Sequence, residues 1–131
     1  MHTAALGTQT YRRTEIQSRS PLELVIMLYE GADRSLAEAR SAIERENGHA
    51  KREAISRALA IVTELQNVLN VDDGGEIAAS LDSLYSFVNQ RLIDANQRND
   101  VGAIDEAVRV LAPLHAAWVQ LASAPAEGDS R

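Results

Sequence analysis

The stretch GGEIAASLDSLYSFVNQRLIDAN, from Gly74 to Asn96, decides the fold. Its double glycine marks a turn, and an amphipathic helix follows at once. Apolar residues recur at Ile77, Leu81, Leu84, Val88 and Leu92, the spacing of one helical face. Between them stand Tyr85, Asn89, Arg91 and Asn96, side chains suited to specific polar contacts. The helix reads as a core element and a recognition element together.

Upstream, Ser20-Pro21-Leu22-Glu23 is a complete helix start. Ser20 caps, Pro21 fills the first helical position, and Glu23 closes a capping box. The first helix is predicted to run to about Glu46 and to stop at Asn47-Gly48 in a left-handed C-cap. Leu22, Val25, Tyr29, Leu36, Ala39 and Ile43 form its main apolar row, and Leu24, Met27, Leu28 and Ala32 a second. The second helix is predicted from His49 or Ala50 to Asn70. Its main row is Ile55, Leu59, Val62, Leu65 and Leu69, with Ala54, Ala58, Ile61 and Val68 beside it. Two apolar rows per helix exceed what one core face requires. The surplus is either contact with a further helix or a groove open to a partner.

Downstream, Asn99-Asp100 ends the Gly74–Asn96 helix near Arg98 and caps a fourth, from Val101 to about Ala122. Its apolar residues are Ile104, Val108, Leu111, Leu114 or His115, Trp118 and Leu121. Pro113 lies inside it and predicts a kink near Arg109–Ala112, because its ring crowds the preceding turn and donates no hydrogen bond. Four long helices with short connections predict an all-α, antiparallel up-down four-helix bundle. The bundle spans residues 20–122. Residues 1–19 form an N-terminal arm, read either as a disordered tail or as a segment that docks Tyr11 and Ile16 on the domain. Residues 123–131 read as a disordered tail.

Composition narrows the function. The 131-residue chain carries a net charge of −6, against the basic footprint that nucleic-acid binding needs. It has no cysteine, hence no disulfide framework or thiolate metal site, which fits the cytosol. The start, Met-His-Thr-Ala-Ala-Leu-Gly, does not read as a signal peptide, and the apolar run Leu24–Leu28 is far too short to span a membrane. Aromatic residues make up only 4%, so Leu, Ile, Val and Ala must build the core.

Catalytic and cofactor signals are weak. Glu46 and His49 have Glu-x-x-His spacing but straddle Gly48, so they do not point into a bundle core. Asp72 and Asp73 lack the further ligands of a calcium loop. His115 is the one candidate phosphoacceptor, but Leu114, Ala116, Ala117 and Trp118 around it favour a partly buried, satisfied histidine. No phosphate loop or nucleophile elbow is present. The reading is a binding protein, with no enzyme activity and no cofactor.

Three blocks together resemble the family of flagellar export chaperones called FliS. The first is Tyr11, Ile16, Ser20-Pro21, Glu23-Leu24 and Ile26-Met27-Leu28-Tyr29-Glu30-Gly31-Ala32. The second is Gly74-Gly75-Glu76-Ile77-Ala78, Leu81 and Leu84-Tyr85. The third is Arg91-Leu92, Ala95-Asn96, Asp100 and Ala117-Trp118. The match spans Tyr11 to about Leu121 in register.

The resemblance implies a helical bundle in the bacterial cytosol that holds the C-terminal segment of unexported flagellin. It thereby prevents premature polymerisation and helps present flagellin to the export gate. By the same resemblance, Tyr11 and Ile16 are the docking arm, covering part of the client groove until the client displaces them. Tyr29, Tyr85, Asn89, Leu92 and Asn96 line or support the client surface. Plainer readings stand beside these: Tyr29 and Tyr85 as core tyrosines with hydroxyls at the rim, and Asn96 as a helix cap. A helical adaptor that sequesters another protein segment is the competing function. An open groove also suggests a weak homodimer in the absence of client. Two departures stand out. Asp33 and Ser35 replace residues that are usually apolar in the family, which predicts a solvated stretch of the first helix. Pro113 falls where a regular helix is usual.

Overall fold

The computed structural model describes residues 20–69 and 71–124, with the side chains of 71–73 left aside. Four helices follow one another: α1 Pro21–Glu44, α2 Gly48–Val68, α3 Val71–Arg98 and α4 Val101–Ser123. α1 packs on α2 and α4, and α3 packs on the same two. The chain thus goes round a square, up and down, with α1 and α3 on one diagonal.

The predicted capping box is present. Ser20 Oγ accepts from the Glu23 amide at 3.1 Å, and the Ser20 amide donates to Glu23 Oε1 at 2.9 Å. The α1–α2 turn differs from the expectation. α1 ends at Glu44, and the left-handed residue is Glu46, with φ of 57°, not the Asn-Gly pair. The Asn47 amide donates to the Ala42 carbonyl at 2.8 Å and the Glu46 amide to Ile43 at 3.0 Å, closing a Schellman motif. Asn47 is free to do something else: its side chain caps α2 by accepting from the Ala50 amide at 3.0 Å. Gly48 is therefore the first residue of α2 and no part of a stop. Asp100 caps α4 in the same way, accepting from Ala103 at 3.2 Å.

In α3 the double glycine breaks the helix as expected, but later and more sharply than a loose turn. Residues from Val71 already coil, and the break is at Gly75, with φ of 59° and ψ of −135°. A Cβ there would meet nothing within 4 Å. Backbone conformation, not space, demands the glycine. α4 shows the opposite: helix continues from Val101 through Pro113 to Ser123. Pro113 and Arg109 both face solvent, so water can satisfy the carbonyl that the proline leaves free.

The core is narrow and alanine-rich. Tyr29, Ala32, Leu36 and Ala39 meet Ala54, Ile55, Ala58, Val62 and Leu65, then Tyr85, Val88, Leu92 and Ala95, then Ala103, Ile104, Ala107 and Leu111. Two expectations fail here. Ile77 and Leu84 are not core but 76% and 38% exposed. The buried face of α3 is instead Ala78, Leu81, Tyr85, Val88, Leu92 and Ala95, a strict three-four repeat turned by one residue. Ser35, expected to be solvated, is 6% exposed, while Asp33 is exposed as expected. Ser35 lies on the α2 side of α1, next to Gly31. A Cβ on Gly31 would sit 3.2 Å from Ile61 Cδ1, so α2 approaches there and covers the serine.

Polar ties join the helices outside the core. Arg40 of α1 holds Asp105 of α4 through two nitrogens, at 3.0 and 3.2 Å. Arg91 of α3 holds Glu106 of α4 at 2.8 Å and Asp94 at 2.6 Å. Lys51 of α2, 8% exposed, donates to the Asn96 carbonyl at 2.9 Å and Asn99 Oδ1 at 2.7 Å, capping the C-terminus of α3.

Candidate functional site

The start of α1, the end of α2, the start of α3 and the end of α4 lie at one end of the bundle. There the helices leave a groove of about 460 Å³. Val25, Leu65, Val68, Leu69, Ile77, Ala78, Leu81, Tyr85 and Trp118 line it. Apart from the Tyr85 hydroxyl and the Trp118 indole N–H, every side chain on that wall is apolar. Ile77 at 76% and Val68 at 40% exposure stand at its rim. The surplus apolar row of α2 is thus partly accounted for: Ala54 and Ala58 are core, and Val68 belongs to the groove.

Beneath the groove the two diagonal helices touch. The Tyr29 and Tyr85 hydroxyl oxygens are 2.6 Å apart, and the rings are tilted by 56° with centroids 6.4 Å apart. Desolvation by burial pushes both phenols above the ordinary tyrosine value; for Tyr29, hydrogen bonding from Tyr85 and Trp118 opposes it. For Tyr85, the Tyr29 hydroxyl adds to the upward shift. His115 stacks on the other face of this assembly, its ring 5.7 Å from that of Tyr29 and within 15° of parallel. Its Nε2 is buried without a hydrogen-bond partner, so it is only partly the satisfied histidine expected. A nitrogen closed off in this way is poorly placed to take a phosphoryl group.

The sequence-derived candidates divide. Tyr85 lines the groove, and Tyr29 supports it from below. Asn89 lies on the α2 side of α3, its amide donating to Thr63 Oγ1 at 3.4 Å, with its own Oδ1 buried and unpartnered. Leu92 is wholly buried in the core. Asn96 is near the far end of α3, where its carbonyl takes Lys51 and its Oδ1 is buried without a partner. Tyr11 and Ile16 lie outside the described residues, as do the side chains of Asp72 and Asp73. Sequence reasoning missed Val25, Leu69, Trp118 and Val68 as one surface. They come from three separate stretches of the chain, and only Val68, in a surplus row, and Trp118, in the third block, carried a signal. Among the described residues no three His, Asp or Glu side chains gather as a metal site, and no helix is long and apolar enough to cross a membrane.

A helical bundle with an apolar groove at one end is an architecture suited to holding another chain. The comparisons with known proteins narrow that class. Residues 4–125 match the family described as "Flagellar protein FliS". The chain is 37% identical to the flagellar secretion chaperone FliS of Salmonella typhimurium, over the full length of both. It is 35% identical to the flagellar secretion chaperone FliSB of Pseudomonas aeruginosa, over 79% of this chain and 82% of that one. It is 36% identical to the FliS chaperone of Campylobacter jejuni, over 86% and 88%. The chain belongs to the FliS family of flagellar secretion chaperones, proteins that are not enzymes.

Proposed function

We propose that this chaperone binds the C-terminal segment of flagellin in the cytosol, keeps it from polymerising early, and helps deliver it to the flagellar export gate. The observation that carries the reading is the groove: an apolar wall drawn from all four helices, with Ile77 and Val68 exposed at its rim. A monomer that keeps such a surface open has a partner for it. A disordered client spends about 2–5 kcal/mol of its binding energy on ordering, and long apolar contact is what offsets that. Tyr85 and Trp118 form the floor of the site. Tyr29, Leu92, Asn89 and Asn96 act from behind it, holding α3 in place. Tyr11 and Ile16 form an arm that covers part of the groove until client arrives. Without client, the same groove pairs two copies weakly.

Titration calorimetry with a flagellin C-terminal segment tests this. A one-to-one complex that forms at low micromolar concentration or below is expected, together with slowed filament growth when the chaperone is added to flagellin. No complex at high micromolar concentration would sink the flagellin reading and leave the adaptor for another segment.

A further inference from the structure

The end of the bundle opposite the groove holds a second cavity, of about 560 Å³. Its charged lining residues are Lys51, Arg52 and Glu46, two positive and one negative, a net of +1. The chain as a whole carries −6, so a positive hollow on it stands out. Lys51 is fixed in the wall. It is 8% exposed, and its ammonium donates to the Asn96 carbonyl and to Asn99 Oδ1, both neutral groups. An ammonium carries three N–H donors, so this capping of α3 leaves one over. The charge is left over too: among the described residues no carboxylate, Glu46 included, forms an ion pair with Lys51. A buried charge is ordinarily paired.

Arg52 is in the same state, with no ion pair among the described residues. A Cβ on Gly48 would stand 3.2 Å from Arg52 Nη1, so the guanidinium folds over the first turn of α2. In that turn the Asn47 side chain takes the Ala50 amide. The amides of Gly48 and His49 have no acceptor among the described residues. A spare ammonium proton, a guanidinium fork and the positive end of a helix therefore meet at one cavity.

We propose that this cavity binds one acidic side chain of another protein chain, with its carboxylate held by Arg52 and Lys51. The arginine fork matches the two oxygens of a carboxylate, and Lys51 adds a point charge with a free donor. The charge count selects a carboxylate over a phosphate. A net lining charge of +1 is balanced by one carboxylate. A phosphate monoester brings about −1.5 to −2 and faces Glu46 besides. The cavity is also far larger than a lone anion needs, and Ile43 gives it an apolar side for the stem and backbone that carry the carboxylate. Because the site lies at the other end from the groove, a chain held there leaves the groove open. One end of the bundle then recognises apolar surface and the other a negative charge.

Nuclear magnetic resonance titration of the full chain with the capped tripeptide acetyl-alanyl-glutamyl-alanine amide tests the assignment, with the glutaminyl peptide and inorganic phosphate as comparisons. Saturable shifts are expected at the Gly48 and His49 amides and at the Lys51 ammonium, with a millimolar Kd. The glutaminyl peptide is expected to bind about tenfold more weakly or not at all. Three variants at exposed positions keep Lys51 and the fold in place. Arg52→Gln is expected to weaken the glutamyl peptide about fivefold, and Glu46→Gln, which removes the negative lining group, to tighten it about twofold. Arg57→Gln makes the same charge change on α2 outside the cavity and is expected to leave the affinity within about 1.5-fold of wild type. Equal binding of the glutaminyl peptide, equal weakening by Arg52→Gln and Arg57→Gln, or the absence of saturable shifts at the cavity would each overturn the assignment. Tighter binding of phosphate than of the glutamyl peptide would make this an inorganic-anion site and overturn it as well. Flagellin takes no part in this test, so its result is independent of the function proposed above.

Discussion

Glu46 holds a left-handed conformation at φ of 57° that glycine adopts far more easily. The Schellman motif around it fixes that conformation, so the strain is relieved only by losing the side chain. Glu46→Gly is expected to raise stability by about 0.5 kcal/mol, the strain relieved less the extra freedom of an unfolded glycine. A rise in the urea midpoint with unchanged slope checks it. Gly75 is the reverse case: at φ of 59° and ψ of −135°, Gly75→Ala is expected to lose about 1–3 kcal/mol although a Cβ meets no atom there. The tyrosine pair adds a pH dependence. Both phenols have folded values above the unfolded one, so their stabilisation is whole below the unfolded value. It is lost as pH rises past about 10 and through the folded values. Unfolding by denaturant measured above that pH is expected to show a steep fall for wild type and a shallower one for the Tyr29→Phe, Tyr85→Phe double variant.

α3 shows what its sequence made plain and what it hid. The Gly-Gly break, the helix to Arg98 and the Asp100 cap after it were legible because each rests on local backbone chemistry. The phase of the buried face was not. Ile77 and Leu84 are larger and more apolar than Ala78 and Ala95, so periodicity weighted by hydrophobicity points one residue off. The bundle selects the alanine face because its helices come close, and Tyr85 turns inward because Tyr29 meets its hydroxyl. Of the two displaced residues, Ile77 stands at the rim of the groove. Ile77→Ser is therefore expected to leave the unfolding midpoint almost unchanged and to weaken the flagellin complex. Leu92→Ala, at a fully buried site, is expected to cost about 2–5 kcal/mol of stability. Urea titration and calorimetry on the same two proteins check both halves. If Ile77→Ser destabilises the fold as Leu92→Ala does, the exposed row belongs to the core after all.

At the scale of the whole molecule, the two ends of the bundle are built differently. At one end Lys51 caps the α3 terminus and Asn47 and Asp100 cap α2 and α4, around a pocket of about 560 Å³ with polar side chains in its lining. The other is the groove, whose residues come from four separate stretches and meet only through topology; this is why the bundle was legible in the sequence and the site as a surface was not. α1 begins at the groove end, with Pro21 a few residues before Val25 on the groove wall. Among the described residues, the helix caps, a continuous buried core and the inter-helix ion pairs are in place. A chain that lacks residues 1–18 keeps Ser20 and its capping box. It is thus expected to retain its helical circular dichroism and a cooperative unfolding transition. An arm that covers the groove lowers apparent affinity in proportion to the fraction of time it is bound. Truncation is then expected to tighten binding of the flagellin segment several-fold, with the gain in the association rate, because the site no longer waits for the arm to leave. Weaker binding after truncation would show that Tyr11 and Ile16 clamp the client rather than compete with it. Loss of the unfolding transition would show that they complete the core.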